Sequence, residues 1–136
     1  MNWIAQLLAA ASALLVGFLW YNPKTFGTAW MKGVGLTEEQ LATDNMPLRF
    51  GLAFLMALLI SVFVASIGAG HIEEVLPPWQ HFGYHGAQLG IIVVLPILVI
   101  ISLFEQVDFK TIAINTGYWV VTLGVMGMII GAMGPG

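Results

Sequence analysis

The residues with the widest chemical reach fall in one short stretch. His71, Glu73, Glu74, His81 and His85 lie within fifteen positions and include every histidine of the chain. Imidazole nitrogen and carboxylate oxygen are the donors that zinc takes from proteins, and haem iron takes an axial histidine. His81 and His85 are spaced i and i+4, which sets both rings on one face of a helix. His71, Glu74, His81 and His85 are therefore the candidate metal ligands. Such a site needs convergent side chains, and Pro77, Pro78 and Gly83 break up the backbone that would have to converge them. Against the metal reading stands a plainer one: polar residues at a helix entrance, anchored among headgroups beside Trp79.

Other chemistries find no foothold. With no cysteine there is no disulfide, thiolate nucleophile or iron–sulfur ligand. No Walker loop, G-x-S-x-G or H-E-x-x-H occurs, and Glu73-Glu74 has no cationic partner in its loop. The chain reads as a non-enzyme that needs no cofactor. Four Lys and Arg in 136 residues, at a net charge of −3, cannot track a phosphate backbone, so nucleic acid is not a partner.

The elements that hold these residues are set by solvent. Hydrophobic residues make up 59% of the chain and charged ones 8%, too few to cover a water-soluble surface. Blocks free of Asp, Glu, Lys and Arg run over 1–23, 50–70, 86–104 and 111–136. About 20 apolar residues at roughly 1.5 Å each match the hydrocarbon core, and none of the blocks alternates with period two, so a β-barrel is excluded. The expectation is an all-α polytopic membrane protein, one domain over 1–136, with transmembrane helices at about 2–21, 49–69, 84–104 and 111–132. The first is expected to stay as a mature helix, because it lacks a basic leader and ends in Phe18-Leu19-Trp20-Tyr21, not small residues. Pro96, in mid-span, should kink the third helix. In the first loop Thr37-Glu38-Glu39-Gln40 fits a capping box and predicts a short helix at 38–43.

All four cations (Lys24, Lys32, Arg49, Lys110) lie on the first and third loops or at their helix mouths, and none on the second loop or either tail. The positive-inside rule places that side in the cytoplasm and both termini outside. Small residues form stripes: Ala5, Ala9, Ala13 and Gly17; Ala57 and Ser61; Gly124, Gly127 and Gly131. Small-xxx-small seams drive helix association in lipid, and their abundance argues for a homo-oligomer. No ionisable Asp, Glu, Lys or Arg lies at bilayer depth, which argues against a carboxylate-switched ion pump. Polar side chains such as Gln6, Ser61, Asn115 and Thr122 would suit interhelical hydrogen bonds or an uncharged solute.

Gly17-Phe18-Leu19-Trp20-Tyr21-Asn22-Pro23, then Phe26-Gly27, Ala29-Trp30-Met31 and Gly35-Leu36-Thr37, resembles the opening signature of a family of small bacterial membrane proteins known as domain of unknown function 1761. Leu103-Phe104-Glu105, Asn115, Gly117-Tyr118 and the glycine-rich last helix are similar too. The resemblance implies four helices in a bacterial inner membrane and transfers no catalytic residue. Within the signature, Trp20, Tyr21, Phe26 and Trp30 flank Pro23 and Gly27 where the chain leaves the bilayer, and are expected to anchor it at the interface. Three functions fit this reading. The first is an oligomeric channel or carrier for a small uncharged solute. The second is a non-transporting scaffold that docks a membrane protein partner, and the third is a metal- or haem-binding protein using the outer histidines.

Overall fold

A computed structural model of the chain describes residues 1–70 and 75–136. The described residues form helices and no strand: α1 (Trp3–Trp20), α2 (Gly27–Val34), α3 (Glu38–Thr43), α4 (Met46–Ala69), α5 (Pro78–Leu89), a π-helical turn (Gly90–Val94), α6 (Leu95–Phe104) and α7 (Phe109–Met133). Four segments are long and apolar enough to cross a membrane: α1, α4, the continuous stretch Pro78–Phe104, and α7.

Each span begins where local chemistry allows it. Asn2 caps α1 by accepting from the Ala5 amide at 3.2 Å. The capping box forms as the sequence predicts: the Gln40 amide donates to Thr37 Oγ1 at 3.2 Å, and the Thr37 amide to Gln40 Oε1 at 2.9 Å. The helix it starts ends at Thr43. α4 begins at Met46, earlier than the expected 49, because the Asn45 side chain caps it and Pro47 fits its first turn. The third span likewise begins at Pro78 rather than 84, with proline again in the opening turn. Gly83 is no obstacle inside it, because it meets a neighbouring helix. α2 is a helix that the sequence reading does not contain.

At Pro96 the structure replaces a simple kink with a wider turn. The Leu95 amide bonds the Gly90 carbonyl, five residues back, and Pro96 enters in the first turn of α6. A missing N–H is harmless there, so the π turn absorbs the proline.

α1 runs antiparallel to both α4 and α7. Trp20 meets Ile114, Phe18 meets Phe50, and Asn2 clasps the other end of α7 through Pro135 and Met133 carbonyls at 2.9 and 3.1 Å. α7 is the central helix, packing on α5 along most of that helix and on α1, with α4 against α1 and touching α5 and α7 as well. The core is formed by Ala9, Ala10, Ala13, Ala57, Val64, Ala65, Phe82, Leu123, Met126 and Ile130. In and beside it Ala5, Ala9, Ala13, Ala57 and Ser61 are all buried inside one chain. The small residues that the sequence offered for oligomerisation thus close the bundle itself.

Candidate functional site

The tightest seam is α5 against α7. A Cβ at Gly86 would collide with the Leu123 carbonyl, one at Gly127 with the Phe82 carbonyl, and one at Gly131 with the Pro78 carbonyl. A Cβ at Gly90 would come within 2.9 Å of Val120 Cα, closer than carbon atoms pack. Backbone therefore touches backbone here, which side chains larger than hydrogen forbid. Gly124, on the same stripe, is ordinary: its Cβ would meet Ala87 Cβ at 3.7 Å. Gly17 faces the Tyr118 ring rather than another helix backbone, and the Tyr118 hydroxyl donates to the Ala13 carbonyl at 2.7 Å.

Much of the aromatic signature packs against α7, an inward role that stands beside the expected anchoring at the interface. Trp20 Nε1 donates to the Ile114 carbonyl at 2.9 Å, and its ring lies over Gly117. Tyr21 donates to Asn115 Oδ1 at 2.8 Å, and its ring packs on Trp30 and Tyr118 at centroid distances of 5.1 and 5.3 Å. Burial, with the nearby Tyr118 phenol adding to it, pushes the Tyr21 hydroxyl well above its ordinary range and keeps it a donor. Phe26 packs on Trp20 at 4.8 Å but is itself exposed, so among these rings it fits the anchoring role best. The turn between Tyr21 and Gly27 is tight. The Gly27 amide donates to the Asn22 carbonyl at 2.9 Å, and a Cβ there would strike the Tyr21 carbonyl. Thr25 Oγ1 lies within 3.0 Å of the Leu19, Trp20 and Asn22 carbonyls, giving the end of α1 a donor.

This turn brings α2 back against the start of α7. A Cβ at Gly33 would collide with Thr111 Oγ1 and come within 2.9 Å of Asp108 Oδ1. Beside that contact a cavity of about 390 Å3 is lined by Ala29, Lys32, Gly33, Gln106, Asp108 and Lys110. Its polar residues come from loops and helix ends far apart in the chain, so spacing alone offered no signal for it.

Of the histidine cluster, His71 and Glu74 lie outside the described residues, as does Glu73. His81 is buried and donates from Nε2 to the Gly68 carbonyl at 2.9 Å, which satisfies the last turn of α4. Its ring stands edge-on to that of His85 at 4.7 Å, as the i, i+4 spacing predicts. Among the described residues no three His, Cys, Asp or Glu side chains come together as a metal set.

The buried polar groups at bilayer depth mostly fold back on their own helices. Ser12 donates to Ala9, Ser61 to Leu58 and Thr116 to Ile112, at 2.6, 2.8 and 2.8 Å. Gln6 and the hydroxyls of Thr111 and Thr122 do not: all three residues are fully buried, and neither Gln6 amide atom has a partner. An unmet buried amide costs about 1–3 kcal/mol. Gln6→Met, which keeps length and flexibility, is therefore expected to raise stability by about 1–2 kcal/mol. Thermal unfolding in detergent, followed by circular dichroism, measures it; a lower midpoint would mean that the amide is satisfied in the membrane.

On the other side of the bundle the third span parts from its neighbours. α6 contains no buried residue. Far less of the apolar part of the third span is buried than of α7. Between α4 and this span lies an apolar cleft of about 480 Å3, lined by Leu59, Ile60, Phe63, Leu89, Val93, Val94, Ile97, Leu98 and Trp119. The π turn supplies Val93 and Val94, so the departure of the chain from α7 begins where Pro96 imposes it.

A family model described as "Protein of unknown function (DUF1761)" matches residues 4–131, nearly the whole chain. No curated protein and no solved structure shows a match.

Proposed function

The chain belongs to this family, whose description assigns no activity, and from its geometry we propose a non-transporting membrane scaffold that docks a partner in the α4/α6 cleft, the partner being a second copy of itself. The observation that carries this reading is the pairing of two features on one face. α6 is apolar but for Ser102 and has no buried residue, and immediately beside it lies an apolar cleft wide enough to receive side chains. A groove and an uncovered ridge side by side are self-complementary under a two-fold axis, the commonest symmetry of homo-oligomers. Each α6 would enter the cleft of the other copy. The all-apolar lining matches an α6 whose only polar side chain is Ser102.

The folded-back hydroxyls favour docking over solute passage, because a lining that spends its donors on its own helices offers few to a solute. In this reading the cationic end faces the cytoplasm of a bacterial inner membrane and both termini face outward.

The absence of cysteine makes the test clean. Single substitutions Ile97→Cys and Ile100→Cys, oxidised in native membranes, should give a disulfide-linked dimer, whereas Leu7→Cys on the exposed face of α1 should not. Val93→Trp, which fills the cleft, should convert a dimer to a monomer by native mass spectrometry in nanodiscs. A wild-type chain that stays monomeric across concentration would overturn the proposal, and so would cross-linking at Leu7→Cys equal to that at Ile97→Cys.

A further inference from the structure

We propose that the cavity between α2 and the start of α7 binds the phosphodiester of a phospholipid whose headgroup also carries a hydrogen-bond donor. The site lies apart from the α4/α6 cleft and does not depend on the docking reading. Its charged residues are Lys32 from α2, Asp108 as the residue before α7, and Lys110 from the first turn of α7, with Gln106 beside them. Among the described residues the one ion pair in the protein is Arg49 with Asp44. Neither pocket lysine is engaged in an ion pair, and Asp108, although it stands at a helix N-cap, makes no side-chain capping bond.

Depth identifies the source of the ligand. Phe104 and Phe109 bracket the loop that carries Gln106 and Asp108, and they are 87% and 80% exposed. Rings so bare beside a charged pocket sit in the bilayer only if the pocket itself lies at headgroup level, where phosphodiesters are concentrated. Two ammonium groups from separate elements suit the phosphate oxygens. The first amides of α7, a 25-residue helix, add a favourable dipole. The pocket wall is held in place from beneath, where Gly33 packs so closely on the buried Thr111 hydroxyl that no Cβ would fit between them.

Asp108 narrows the class further. A carboxylate in a phosphate pocket repels the ligand unless the headgroup returns a donor. An ammonium or hydroxyl head supplies one, and a trimethylammonium head has no N–H to give. The site should therefore prefer phosphatidylethanolamine or phosphatidylglycerol to phosphatidylcholine.

The experiment is lipid retention by native mass spectrometry of protein released from nanodiscs of phosphatidylcholine containing a minor fraction of either donor-bearing lipid. Wild type should retain the donor-bearing lipid, and Lys32→Gln with Lys110→Gln should reduce retention at least about tenfold. Asp108→Asn should abolish the preference over phosphatidylcholine. Lys24→Gln, which alters a cation outside the pocket, should change nothing. Equal loss in Lys24→Gln would reduce the effect to general surface charge and overturn the site. So would unchanged retention in a double variant of normal helicity. Displacement of the lipid by millimolar inorganic phosphate would assign the pocket to a soluble phosphate and overturn the lipid proposal.

Discussion

A single methyl group added at Gly127 or Gly86 is expected to cost the bundle at least about 3 kcal/mol, at or beyond the upper end of what overpacking usually costs. In both cases the new Cβ would occupy the place of a backbone carbonyl oxygen, that of Phe82 or of Leu123. A side chain in the way could rotate aside; a helical carbonyl cannot, so α5 and α7 must move apart. Their separation spreads along the seam, because Gly131 is packed nearly as closely and Gly90 only somewhat less so. Gly124→Ala is the matched comparison. Its methyl would meet Ala87 Cβ at an ordinary 3.7 Å, and alanine is the better helix former by about 1 kcal/mol, so this variant should be neutral or slightly stabilised. Thermal midpoints of the three variants in one detergent decide the matter. Three equal midpoints would show that the seam is looser than the geometry states.

The second large effect is expected at Trp20. Trp20→Ala removes the hydrogen bond to the Ile114 carbonyl, the ring contact with Phe26 and the cover over Gly117. Truncating a core tryptophan costs about 3–5 kcal/mol, and the partial exposure of this one lowers the expectation to about 2–3 kcal/mol. The loss should be felt beyond α1. α2 is led back to α7 by the turn that Trp20 and Tyr21 hold down, so hydrogen exchange should accelerate over Gly27–Val34 before it changes in α5. Trp20→Phe should fall between, keeping most of the ring contact and losing the indole donor. Unaltered exchange in α2 would mean that Gly33 alone docks it on Thr111.

What could be read from the chain and what could not separate along a physical line. The four spans follow from composition, because lipid admits only segments that satisfy their own backbone, and blocks free of charge mark them directly. The short helix after Thr37 follows from a local hydrogen-bond exchange that four residues complete by themselves. The family, too, was legible in the aromatic signature and in the glycine-rich last helix. Even the trouble at Pro96 was visible, although a proline does not announce whether a kink or a π turn will accommodate it.

Lateral pairing was not legible, because lipid removes the hydrophobic drive that would let apolar faces choose partners by pattern. Which glycine meets a backbone and which meets a methyl is settled by helix azimuth and register. Gly127 and Gly124 are therefore equivalent in the sequence and opposite in the fold. The same cause hid the inward turn of Trp20 and Tyr21, whose acceptors on α7 lie some 94 positions away. It also hid the pocket that joins Lys32 to Lys110. The sequence alone determined that this protein lives in a bilayer and crosses it four times, because solvent acts on each segment separately. Only the tertiary structure decided which faces close on each other and which stay open, because close packing depends on atoms of two segments at once.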